Sequence, residues 1–151
     1  MRSAYRVLAL LIALGVVLQA ASIAFAWFDV ISELESGAVF AEDSEGNLGH
    51  ALHGIIGLII MPALSLILLI VSFFAKVSGG VKWALFVFGA VVLQVALAVL
   101  GRTLGLPALG LLHGANALVL LALAEMAARR ANRTEPVATA ERRDRVGSVA
   151  R

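Results

Sequence analysis

Apolar residues fall into four long runs, at positions 4–28, 48–75, 83–101 and 108–128, separated by three polar segments. Histidine aside, Arg6 and Glu125, near the ends of the first and last runs, are the only ionisable acidic or basic side chains inside them. A bilayer core is crossed by about 20 apolar residues in helical form, so each run predicts one transmembrane helix. The expected fold class is therefore all-α, an integral membrane four-helix bundle. Pro62 lies inside the second run; proline is tolerated in a membrane helix where neighbours satisfy the freed carbonyl, often with a kink. Leu106-Pro107 suits entry into the fourth helix. Residues 1–131 are expected to form the transmembrane domain and 132–151 a disordered, arginine-rich tail.

The first run follows Arg2 and contains Arg6, and Ala24-Phe25-Ala26 resembles a signal-peptide cleavage site. Its apolar stretch exceeds the roughly 7–15 residues of a signal core, so it is read as a membrane helix. Residues 29–47 carry Asp29, Glu33, Glu35, Glu42, Asp43 and Glu45 with no basic residue, and part of this segment is expected to form a short interfacial helix. Lys76 and Lys82 flank the second turn, and Arg129, Arg130 and Arg133 follow the fourth run. Lysine and arginine collect on the cytoplasmic side of membrane proteins. That rule puts both termini in the cytoplasm of a multi-pass cell-membrane protein, with the acidic loop and Arg102 outside.

Composition narrows the chemistry. The 151 residues are 61% hydrophobic and 15% charged, against about 45–50% and about 25% in soluble domains, so the lipid bilayer is the first expected partner. There is no cysteine, which excludes disulfides, thiolate metal sites and covalent haem attachment. No phosphate loop and no nucleophile–base pair is present, and no nucleic-acid partner is expected. The basic tail is read as topology-setting, with attraction to anionic lipid as the alternative.

The chain repeats itself. Val16-Val17-Leu18-Gln19 in the first run matches Val91-Val92-Leu93-Gln94 in the third, and Leu52-His53-Gly54 in the second matches Leu112-His113-Gly114 in the fourth. Each half is then one antiparallel helix hairpin, and two hairpins of the same topology are related by an axis along the membrane normal.

The polar residues inside the runs are Gln19, His50, His53, Gln94, His113, Asn116 and Glu125. Such groups are costly in lipid and tend to face the bundle interior or a functional site. At about 1.5 Å rise per residue, His53 and His113 each lie roughly 8 Å below the outer end of their helices, and Gln19 and Gln94 roughly 10–13 Å. The four side chains thus share one outer-leaflet layer. In a square bundle the second and fourth helices are diagonal, roughly 11–14 Å apart, which lets two inward imidazoles approach one metal centre. Gly49, His53 and Gly57 share a face, and Gly110, His113 and Gly114 cluster similarly; missing side chains admit a macrocycle or another helix. His53 and His113 are the candidate axial ligands of a haem, with Gln19, Gln94, Gly57 and Asn116 around it. His50, one turn nearer the surface, is an alternative ligand, a proton donor or a propionate contact, and Arg102 pairs either with propionates or with the acidic loop. Asn116 orients a ligand or bonds a neighbouring helix. Glu125, four residues before Arg129, suits a local ion pair. The competing readings are histidines that only bond between helices, and a quinone or transition-metal site.

At these residues the chain resembles one four-helix half of the haem A synthase family, in which each half places a histidine on its second and fourth helices near the outer face. It also resembles small four-helix bacterial membrane proteins with segments like Leu112-His113-Gly114-Ala115-Asn116-Ala117-Leu118. The resemblance implies haem b as cofactor and His53, or else His50, with His113 as ligands. A family glutamate that precedes the second-helix histidine has a loose counterpart in Glu45. The family has two such domains and this chain has one, so a homodimer or a larger membrane complex is implied. The resulting expectation is bis-histidine haem-b binding for electron transfer or haem-linked redox chemistry, with a quinone or another redox partner. The alternative is a non-enzymatic scaffold or accessory subunit.

Overall fold

A computed structural model describes residues 1–41 and 46–132. Over these residues the chain forms α1 (Arg2–Glu35), α2 (Leu48–Ile55), a π-helical turn (Ile56–Ile60), α3 (Met61–Ser72), α4 (Gly80–Leu104) and α5 (Pro107–Asn132). The segment α2–π–α3 runs on as one span, so four helices are long and apolar enough to cross a membrane: Arg2–Glu35, Leu48–Ser72, Gly80–Leu104 and Pro107–Asn132. The tail expected after residue 131 lies, beyond Asn132, outside the described residues, as do Glu42, Asp43 and Glu45.

The helix ends differ from the apolar runs for local reasons. α1 continues through Asp29 and Glu33 to Glu35 instead of yielding to a separate interfacial helix. The second span stops at Ser72, before the end of its run, because Phe73 and Phe74 close with N–H bonds to Ile70 O and Val71 O, three residues back. Gly79, in the left-handed region at φ 68°, permits the sharp start of α4 at Gly80. At the other end Gly105 is left-handed at φ 61° and the Leu106 N–H bonds Gly101 O at 3.1 Å, which is the Schellman closure. Pro107 then opens α5 at once.

Pro62 acts through the backbone. It has no N–H, and its ring crowds the carbonyl four residues earlier, that of Leu58. The helix answers by widening one turn, so the Met61 N–H reaches Ile56 O, five residues back.

α1 packs against α2, α3 and α5, and α4 packs against α3 and α5. The second span and α5 are therefore diagonal. The buried Tyr5 hydroxyl donates to Gly80 O at 2.9 Å, and the Arg130 guanidinium lies over the Trp83 ring at 5.4 Å. The start of α1, the start of α4 and the end of α5 thus share one end of the bundle, here the terminal end. The α1–α2 and α4–α5 connections form the distal end.

The core lies almost wholly in the terminal half. It is built on Tyr5, Ile12, Leu68, Val87 and Leu120 with many alanines, including Ala9, Ala84, Ala124 and Ala127. Small residues allow close helix approach where lipid supplies no hydrophobic drive, and most of the other large apolar side chains are exposed. On the distal side of Val16, Met61, Val91 and Leu120, only Ala26 and Gly49 are buried among the described span residues. These two touch each other across the first hairpin, so the fully buried contacts between the hairpins are concentrated at the terminal end.

Burial follows the same order in both hairpins. Tyr5, Ala9, Ile12, Gly15 and Val16 are buried on α1, and Gly80, Ala84, Val87, Ala90 and Val91 hold the corresponding places on α4. Met61, Ser65, Leu68 and Ser72 are buried on α3, against Leu120, Ala124, Ala127 and Ala131 on α5.

Candidate functional site

The site lies at the distal edge of the buried core. Gln19 of α1 donates its Nε2 to the carbonyl oxygen of His53 at 3.0 Å, and His53 Nδ1 lies 3.1 Å from the carbonyl oxygen of Gln19. Gln94 of α4 and His113 of α5 make the same pair of contacts, at 2.9 and 3.0 Å. A carbonyl oxygen only accepts, so Nδ1 carries the proton in each ring. In the neutral imidazole this leaves the Nε2 lone pair for a ligand. Donation of the other ring N–H to a carbonyl is the usual way a metal-binding histidine is oriented.

His53 and His113 face one another from the diagonal spans, with ring centroids 6.2 Å apart and planes inclined by 58°. An ion held by two imidazoles at about 2 Å each sets ring centres roughly this far apart. Two neutral nitrogens alone fill only half of a tetrahedral metal site, which takes four protein ligands or three and water. Among the described residues no group of three or more His, Cys, Asp or Glu is placed to hold an ion. The donor set fits an iron whose remaining ligands come with a macrocycle better than a bare ion.

The two halves differ at the glutamines. Gln94 Oε1 accepts from Asn116 Nδ2 at 2.6 Å, and the same nitrogen lies 2.9 Å from Ala90 O. Asn116 thus bonds the neighbouring helix, one of the two roles expected for it. In the first half Ile56 stands three residues after His53, where Asn116 stands after His113. Gln19 Oε1 is buried with no hydrogen-bond partner among the described residues.

The glycines divide by what they face. A Cβ on Gly57 would lie 2.7 Å from Gln19 Nε2, and one on Gly49 would lie 2.6 Å from Ser22 O and 2.7 Å from Ala26 N. Of the two uses expected for these missing side chains, Gly49 and Gly57 serve the approach of another helix, α1. Gly110 instead lines, with Gly101, Arg102, Gly105 and His113, a groove of about 440 Å³ between α4 and α5.

His50 is engaged elsewhere. Its backbone N–H and Nδ1 both lie on Asn47 Oδ1, at 3.2 and 3.0 Å, while Asn47 Nδ2 donates to Ala26 O and to Asp29 Oδ2. The ring meets Trp27 edge-on at 5.9 Å. Asn47 is the N-cap of α2, a residue that reading from polar positions inside the runs passed over, although asparagine just before an apolar helix is an N-cap signal. Arg102 is exposed in the last turn of α4 and makes no ion pair with a described residue. Glu125 pairs with Arg129 at 2.8 Å, as its spacing suggested.

No protein-family model, no curated protein and no solved structure matches this chain.

Proposed function

We propose that this chain is a membrane haem-b-binding protein in which His53 and His113 are the two axial ligands. One observation carries the reading: two imidazoles from diagonal spans face each other 6.2 Å apart, each oriented by Nδ1 on a neighbouring carbonyl. The scarcity of buried side chains beyond them supports entry of a flat ligand from the distal side. When bound, haem supplies a one-electron iron couple; with both axial positions taken by histidine, electron transfer suits it better than oxygen binding. The protein's own part is to hold both Nε2 lone pairs toward one point and to keep that point in apolar surroundings.

Two related hairpins are part of this reading. The matched Gln–His contacts and the parallel order of buried positions support it. So is the orientation. Arg2, Arg6, Lys76, Lys82, Arg129 and Arg130 all lie toward the terminal end, which the positive-inside rule assigns to the cytoplasm. The histidine layer then lies toward the outer face of the cell membrane.

A second reading rests on the same hydrogen bonds. The four Gln–His contacts could serve only to pin α1 to α2 and α4 to α5, as in an accessory subunit. Absorption spectra of the purified protein, titrated with haem b, separate the two. The haem reading expects a low-spin Soret and α-band spectrum that the His53→Ala, His113→Ala double variant lacks. A titration without any histidine-dependent Soret shift rejects it.

A further inference from the structure

We infer that the α4–α5 groove receives the propionate edge of the porphyrin, with Arg102 as the group that recognises its carboxylates. This rests on the haem reading and adds to it an orientation and a ligand preference.

The first support is continuity. His113 lines the groove and also faces His53, so the groove opens directly onto the ligand pair. The second is charge. No lysine or arginine lies between residues 17 and 75, and Arg102 is the only one between 83 and 119. The other connection at the distal end is acidic, with Asp29, Glu33 and Glu35 on the last turns of α1. A doubly anionic edge is repelled there and finds its one cation at Arg102. The third is shape. The wall carrying the guanidinium is built from Gly101, Gly105 and Gly110 with Leu97, Ala98 and Pro107. A Cβ on Gly105 or Gly110 would meet nothing within 4 Å, while one on Gly101 would lie 3.2 Å from Leu109 Cβ, so the groove is open at Gly105 and Gly110, where Gly49 and Gly57 are closed by α1. The two-residue turn Gly105-Leu106 holds these pieces together, because it brings Gly110 and His113 back beside Gly101 and Arg102.

An apolar body with an anionic group is the shared chemistry, and an acidic lipid offers it as well as a porphyrin does. The test is a Soret titration of the full chain in nanodiscs of neutral phosphatidylcholine, with haem b and with its dimethyl ester, whose carboxylates are blocked. Wild type is expected to bind haem b more tightly than the ester. Arg102→Gln should weaken haem b by roughly two- to fivefold, the scale of an exposed guanidinium–carboxylate pair, and leave the ester unchanged. Arg102→Lys should recover part of the difference.

Equal binding of both porphyrins to wild type, or equal weakening of both by Arg102→Gln, overturns this inference while leaving the axial histidines standing. An Arg102 effect seen only in discs containing phosphatidylglycerol assigns the groove to lipid and also overturns it. Absence of any histidine-dependent Soret shift with either porphyrin overturns both this inference and the haem reading.

Discussion

Gln19 and His53 hold each other at two points, side-chain amide to backbone carbonyl at 3.0 Å and imidazole to backbone carbonyl at 3.1 Å, so that neither residue can turn without breaking a bond between α1 and α2. Gln94 and His113 repeat the arrangement, but there the glutamine oxygen is also occupied by Asn116. The two halves should respond differently to loss of the amide. Gln94→Leu removes the donor to His113 O and leaves one N–H of Asn116 Nδ2 without its acceptor, the other staying on Ala90 O, whereas Gln19→Leu removes one donor and also a buried acceptor with no described partner. Hydrogen bonds between membrane helices average about 0.6 kcal/mol, with a maximum near 1.7. Gln94→Leu is expected to cost about 1–2 kcal/mol and Gln19→Leu less than about 1. Reversible unfolding in mixed micelles measures both, and a larger loss for Gln19→Leu would contradict the asymmetry.

The ligand choice between His50 and His53 makes a second prediction. His50 is tied to Asn47 and packed on Trp27, while His53 faces His113. On the haem reading His50→Ala should keep a six-coordinate, low-spin haem spectrum and lose about 0.5–1.5 kcal/mol of stability through the missing imidazole contact to Asn47, the cap itself persisting because the backbone N–H makes it. His53→Ala should convert the bound haem to a five-coordinate, high-spin form or release it. Low-temperature electron paramagnetic resonance distinguishes these states, and the opposite assignment of the two variants would transfer the ligand to His50.

Close helix approach at Gly49 can be tested against open positions. A Cβ there meets backbone atoms of Ser22 and Ala26, which cannot rotate away as a side-chain tip can. Gly49→Ala should therefore destabilise the first hairpin by about 1–3 kcal/mol, outweighing the gain of about 1 kcal/mol in helix propensity. At Gly54 and Gly114 nothing lies within 4 Å of the added carbon, and alanine there should be neutral or slightly stabilising. Thermal melting followed by circular dichroism in detergent compares the three; equal effects would refute the distinction.

The spans and the layer of rare polar residues were legible in the sequence for physical reasons. A bilayer demands long apolar runs, and the same demand makes Gln19, His53, Gln94 and His113 conspicuous within them. Their depths, counted from the helix ends, placed the two glutamines beside the two histidines, and the Gln–His contacts now join those residues. Four features escaped. Asp29 and Glu33 read as loop by polarity, yet α1 carries its backbone hydrogen bonds through them to Glu35. The fate of His50 depended on the capping residue outside the run. The confinement of the core to the terminal half is a packing property, invisible while both halves are uniformly apolar. The π turn adds one residue to a helix without changing its composition.

That extra residue decides which way His53 faces, and it makes the sharpest prediction. Met61, Ser65, Leu68 and Ser72 form the buried stripe of α3. Continued toward the distal end as an unbroken α-helix, the stripe would pass through Leu58 and Gly54. The residues that meet α1 are instead Gly57, His53 and Gly49, one position earlier each time. On α5, which has no π turn, seven residues separate His113 from the buried Leu120; on the second span, eight separate His53 from Met61. One residue is a rotation of about 100° at 3.6 residues per turn, so the widened turn swings His53 from the side of the helix onto the line facing His113. Pro62 holds that turn open by denying Leu58 O its usual donor. Pro62→Ala removes the steric reason for the bulge and supplies the missing N–H. On the haem reading it is expected to leave the helical circular dichroism unchanged, to lower the thermal stability through loss of the Gln19–His53 and Gly49 contacts to α1, and to weaken haem affinity and remove the low-spin signature, as His53 turns away. Retention of the wild-type haem spectrum in Pro62→Ala would show that tertiary contacts, the Gln19–His53 pair above all, hold the wide turn without the proline.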